Sequence, residues 1–255
     1  MNLKRILNIL AFAGVVVVNW LADYLPLNGQ TTEEISDKFP ILFTPPRYVF
    51  AIWGLIYLFL LFFVIYQILP KQDDNIYVER IGNAFILSCL FNIAWIFSWH
   101  YEYFLLSIIL MVALLITLVF IYSKLEIASN RLFFGEKACI NFPFSIYLGW
   151  ITIATIGNLS AFLYSLGYEN LFIGQELWTE IALILGGVIA LLVLFLRKDA
   201  FYSLVFVWAY VGIGMKNLTI TNISYIAFGM SGIIVLSILF MLIRRHSRRR
   251  KYMFY

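Results

Sequence analysis

The chain has 255 residues, 63% of them apolar and only 13% charged, with a net charge of +4 and a mean hydropathy of +0.90. Ordinary soluble domains carry about 25% charged residues, so this composition cannot supply the polar skin of a soluble enzyme. It equally excludes a disordered chain and a nucleic-acid binder. A spanning helix needs about 20 mostly apolar residues, and about eight such helices would absorb the apolar fraction. The expectation is an all-α, polytopic membrane helix bundle.

The apolar runs predict eight spans, over residues 5–24, 46–69, 81–100, 103–123, 142–166, 177–197, 200–216 and 223–243. Lys4 and Arg5 precede the first, as in a secretory signal, but the run ends in Val-Asn-Trp-Leu-Ala-Asp without a small-residue cleavage site. It reads as an uncleaved span. The connection that follows, residues 25–45, is long for a structureless loop and is expected to be a lid or a packed loop. Thr44-Pro45-Pro46 is expected to open the second span, with a capping hydroxyl followed by prolines where no backbone N–H is needed. Asn141 ahead of Pro143 should open the fifth in the same way, and Asp199 should cap the seventh. Glu176 and Glu180 suit the positive end of the sixth span, and Arg197 and Lys198 its negative end.

Ala182, Gly186 and Ala190 recur every fourth residue of the sixth span, a small-residue face for close helix contact with the core or with a second copy. The basic run Arg244–Lys251 follows the last span and reads as a cytoplasmic anchor on anionic lipid. The units expected are a five-helix core over 1–170, a three-helix extension over 171–243 and a basic tail over 244–255.

With the N-terminus inside, fifteen of the eighteen Lys and Arg residues fall on the inner side; the outer side holds Lys38, Arg47 and Lys216. That asymmetry predicts both termini in the cytoplasm, in the inner (cytoplasmic) membrane. Cys89 and Cys139 lie in apolar stretches and form neither a disulfide framework nor a metal cluster. No Gly-rich phosphate cradle and no Ser/His/Asp arrangement is present, and no residue set suggests an enzyme. His100, at the outer edge of the third span, reads as solvated rather than as a haem ligand. Trp20, Trp99 and Trp178, near span ends, read as interfacial anchors.

Three spans carry aromatic and amide side chains on single helical faces: Phe50, Trp53 and Tyr57 in the second; Ser88, Asn92, Trp95 and Trp99 in the third; Trp150, Ala154 and Asn158 in the fifth. A mid-span Asn faces the bundle interior or a polar cavity. If the stripes converge, they line a pocket with flat aromatic walls and two amides, suited to a large planar ligand. The same stripes serve equally to pack a core, with Asn as glue between helices.

Three motifs resemble the TspO/MBR family of tryptophan-rich sensory proteins, relatives of the mitochondrial translocator protein. They are FTPPRYVFAIWGLIY (Phe43–Tyr57), LFNIAWIFSW (Leu90–Trp99) and PFSIYLGWITIATIGN (Pro143–Asn158), each on the expected span and in the family's order. The resemblance covers residues 5–166. It implies five packed helices with the first loop closing over a ligand cavity. It also implies no required cofactor, a porphyrin or haem as ligand (a sterol in some members) and, often, a homodimer. Carried onto this chain, the pocket would use Trp53, Asn92, Trp95, Trp150, Ala154 and Asn158, with Tyr57, Phe43 and Tyr48 beside them. The chain departs from the family's pattern in having Tyr48 where Trp is usual, no Trp in the first loop, and three further spans. The expected function is a sensor or carrier of planar hydrophobic ligands; the alternatives are a secondary transporter of unknown substrate and a structural partner of another membrane protein.

Overall fold

A computed structural model describes residues 3–69, 76–127, 132–167 and 174–251; the side chains of residues 76, 78 and 245–251 fall outside that description. Lys71 and Arg131, which entered the charge count, therefore lie outside it, as do the side chains of the basic tail beyond Arg244. Among the described residues, ten α-helices run in chain order: α1 Leu3–Tyr24, α2 Thr32–Asp37, α3 Ile52–Ile68, α4 Ile76–Ile81, α5 Ala84–His100, α6 Phe104–Lys124, α7 Phe134–Ser165, α8 Gln175–Arg197, α9 Ala200–Lys216 and α10 Thr221–Lys251. No strand occurs among the described residues.

Six of these helices are long and apolar enough to cross a membrane, α3 counted with the 3-10 turn Arg47–Ala51 that leads into it. The two shorter apolar helices, α5 and α9, fall at the third and seventh predicted spans. The molecule is a multi-pass helical bundle.

Helices α1, α3, α7, α6 and α5 form a ring in which each packs on the next and α5 closes on α1. Outside this ring, α9 packs on α7, and α8 and α10 pack on α9 and on each other. α7 is the shared wall: 56% of its most apolar window is buried, against 22% for α10. Two glycines permit close joints between the ring and α9. A Cβ at Gly149 of α7 would lie 2.9 Å from the Tyr202 carbonyl oxygen of α9. At Gly212 of α9 it would collide with the Val49 side chain at the entrance of α3. The small-residue face of α8 is used inside the chain: Gly186 lies against Phe206 and Tyr210 of α9, and the Tyr210 hydroxyl donates to the Leu183 carbonyl at 2.8 Å.

Some helix ends differ from expectation. Asp199 does cap α9, accepting from the Phe201 and Tyr202 amides at 3.0 and 3.2 Å. Its other oxygen takes the Tyr122 and Ser145 hydroxyls at 2.9 and 2.6 Å, which ties α9 to α6 and α7. α7, however, starts at Phe134, well before Asn141. Glu136 closes its N-terminus by accepting from the Phe133 amide at 3.0 Å, and the helix runs on through Pro143. The 3-10 turn follows Pro46 with no side-chain cap, so Thr44 is not a cap.

The first loop is folded rather than free. Its helix α2 is closed by a capping box: the Thr31 hydroxyl accepts from the Glu34 amide at 3.2 Å, and the Glu34 carboxylate accepts from the Thr31 amide at 2.8 Å. The loop lies across the end of the ring at the C-terminus of α5. Trp99 donates its indole N–H to the Thr32 carbonyl at 3.1 Å, and the Thr32 hydroxyl meets His100 Nε2 at 3.0 Å. The Asn28 amide donates to the His100 carbonyl at 3.0 Å. His100, expected to be solvated, is fully buried, and Trp99, expected at an interface, is 5% exposed. The folded-back loop covers both.

Candidate functional site

Beneath the loop, α3, α5 and α7 enclose a cleft. Its ring-side wall is Phe50, Trp53, Trp95, Trp99, Trp150, Ile153, Ala154, Gly157, Asn158 and Ala161; its roof is Thr32, Ser36, Phe39, Ile41, Phe43, Thr44 and Pro45 of the loop. Trp53 is the hub. It stacks on Trp95 (centroids 6.0 Å apart, planes at 28°) and on Tyr57 (5.6 Å, 18°), and meets Trp150 edge-on at 6.2 Å. Trp95 stacks in turn on Trp99 at 6.3 Å, and Phe50 meets Trp150 edge-on at 5.8 Å. These offset and T-shaped geometries are the favourable ones for aromatic pairs.

Interatomic space in the cleft, counting its open mouth, is about 600 Å³, but the free volume is only about 60 Å³. Ligand pockets typically offer about 300–1,000 Å³. The cleft is therefore nearly closed, its tryptophans occupying one another's faces. The indole N–H groups of Trp95 and Trp150 are buried and have no hydrogen-bond partner. Leaving a buried donor unpaired costs about 1–3 kcal/mol.

Six of the nine residues expected at a site line this cleft: Trp53, Trp95, Trp150, Ala154, Asn158 and Phe43. Three do not. Asn92 is fully buried, accepting from the Asn19 amide at 2.8 Å and donating to the Tyr147 hydroxyl at 3.0 Å. It joins α1, α5 and α7 as glue. Tyr57 stacks under Trp53 without reaching the cleft. Tyr48 is 52% exposed and turns toward α9, edge-on to Trp208 at 5.9 Å. Asn158 lines the cleft while donating to Ser107 of α6 at 2.9 Å. Ile153, Gly157 and Ala161 were missed by the sequence reading. They form the stripe adjoining Trp150, Ala154 and Asn158, and counting i+3 as well as i+4 neighbours would have found them.

Three ion pairs tie down the first loop. Arg47 pairs with Glu33 at 3.0 Å, Lys38 with Glu102, and Lys216 with Asp37 at 3.8 Å. These are the three basic residues assigned to the outer side. Burial raises the Glu33 carboxyl above its ordinary value, although Arg47 opposes this. The Glu34 carboxyl is held below its ordinary value by its bond from the Thr31 backbone.

A family model described as TSPO-like protein matches residues 5–240, so the match takes in α8, α9 and most of α10 as well as the five-helix ring. No curated protein and no solved structure matches the chain.

Proposed function

Starting from the chain's membership of the TSPO-like family, which points to a membrane ligand-binding or sensor protein, we propose that the aromatic cleft takes a planar hydrophobic ligand of the tetrapyrrole kind. The observation that carries this reading is the pair of unpaired indole donors, Trp95 and Trp150, in a nearly closed cleft of stacked rings. Stacking holds a flat body, and the two donors fix its orientation. None of the lining residues is His, Cys or Met, and His100 is engaged with Thr32 and the Leu27 carbonyl. The donor set therefore fits a metal-free porphyrin better than a haem whose iron needs an axial ligand. The carboxylates of such a ligand would stay at the mouth, where Arg47 and Lys38 exchange their present partners for them.

The protein then acts as a sensor or carrier in the cytoplasmic membrane, termini inside, in contact with lipid and as a homodimer. Its small-residue face on α8 does not serve that dimer, because α9 occupies it.

The test is titration of the purified chain with protoporphyrin, read by tryptophan fluorescence. Saturable quenching is expected, weakened about tenfold by Trp53→Ala through loss of stacking worth about 1.5 kcal/mol. Saturable quenching of equal affinity in the variant would place the ligand elsewhere.

A further inference from the structure

The roof of the cleft is held from two sides. Its first half, around Asn28 and Thr32, hangs on the end of α5 through Trp99 and His100. Its second half is held by α9, on the far side of the ring. Trp208 donates its indole N–H to the Val49 carbonyl at 3.0 Å, and the Asn217 amide donates to the Leu42 carbonyl at 2.9 Å. Between them Gly212 lets Val49 and Pro46 lie directly on the helix. Asn217 is 4% exposed, so its bond is sheltered from competing water. The backbone between these two anchor points, Leu42 to Val49, carries the roof residues Phe43, Thr44 and Pro45.

We infer that Trp208 and Asn217 are positioning residues of the cleft: α9 holds the second half of the roof shut and thereby sets how readily a ligand enters. The inference rests on the reading of the cleft as a ligand site, but the roof's own motion tests it without a ligand. Neither side chain lines the cleft, so their effect is on opening rather than on contact with the guest. Both bonds end on backbone carbonyls, so they act on the position of the chain whatever the roof side chains are.

The experiment compares hydrogen exchange of the full-length chain in lipid nanodiscs for wild type, the double variant Trp208→Phe/Asn217→Ala, and Tyr210→Phe. Tyr210→Phe removes a hydrogen bond of similar length inside the extension, on α8 rather than on the roof. The double variant is expected to exchange about tenfold faster at amides 42–49, with α5 and α6 unchanged, and to associate with protoporphyrin faster in parallel. Tyr210→Phe should leave residues 42–49 at the wild-type rate. Unchanged exchange at 42–49 in the double variant, or an equal rise in Tyr210→Phe, overturns the inference. Faster exchange with no protoporphyrin binding in any form leaves the roof clamp standing and rejects the tetrapyrrole reading instead.

Discussion

Two layers of the ring treat their buried polar groups in opposite ways. In the lower layer Asn19, Asn92 and Tyr147 join three helices by side-chain hydrogen bonds of 2.8 and 3.0 Å. One turn higher, Trp95 and Trp150 bury indole N–H groups that bond to nothing. Paired polar groups in a bundle fix its packing; unpaired ones mark where packing has been given up for something else. Asn92 and Trp95 share one stripe of α5, yet the first is bonded on both sides and the second is not.

The largest effect that would sharpen this contrast is expected at Asn92. Asn92→Ala takes away the donor to the Tyr147 hydroxyl and one of the two acceptors of the Asn19 amide, which keeps the Val15 carbonyl at 2.9 Å, and should lower stability by about 2 kcal/mol. Thermal unfolding in detergent measures this, with protoporphyrin affinity per folded molecule unchanged. Unaltered stability with lost binding would move Asn92 from the lower layer into the site. Trp150→Phe should act in the reverse sense. It removes an unpaired donor, so stability stays within about 1 kcal/mol of wild type, while affinity falls about tenfold, the loss of one hydrogen bond of about 1.4 kcal/mol.

A smaller effect is expected at the roof. Thr31→Ala removes the cap of α2 and should cost about 1 kcal/mol of local stability, seen as faster exchange within Thr32–Asp37 and not in α5.

The smallest effect is an acid response of the roof alone. The Glu34 carboxyl is depressed below 4.5 in the folded loop. Its contribution is present above the unfolded value and lost as pH falls through the folded one, so α2 should loosen only below pH 4.5. Glu33 is raised above 4.5 and acts in the opposite direction: its unfavourable contribution at neutral pH fades as it takes up a proton. Glu34→Gln should flatten the acid limb of an exchange-versus-pH profile of α2, and Glu33→Gln should leave that limb in place. A limb that survives Glu34→Gln would assign the response to another group.

The spans and stripes were legible in the sequence because helical period and apolar length are local properties. Trp53, Trp95 and Trp150 could be placed from spacing, and the family's motifs supplied the order of the walls. What escaped depended on partners far along the chain. Asn92 looked like a pocket residue because its partners, Asn19 and Tyr147, lie 73 and 55 residues away. His100 looked solvated because nothing local says that Thr32, 68 residues earlier, returns to cover it. Lys216 entered only as a charge on the outer side; nothing local says that it meets Asp37 of α2. Nor could spacing foresee that α9 reaches the roof, since Asn217 and Leu42 are 175 residues apart. The start of α7 was missed because Pro143 suggests a helix opening, whereas Glu136 supplies an earlier one.

Filling the cleft tests the central claim most directly. Gly157 lines the cleft, and a Cβ there would meet nothing within 4 Å. Gly157→Leu improves helix propensity while placing a branched side chain in the free volume. The variant should unfold at or above the wild-type temperature yet lose saturable quenching by protoporphyrin. Quenching of undiminished affinity in that folded variant would contradict the claim that the guest lies between α3, α5 and α7.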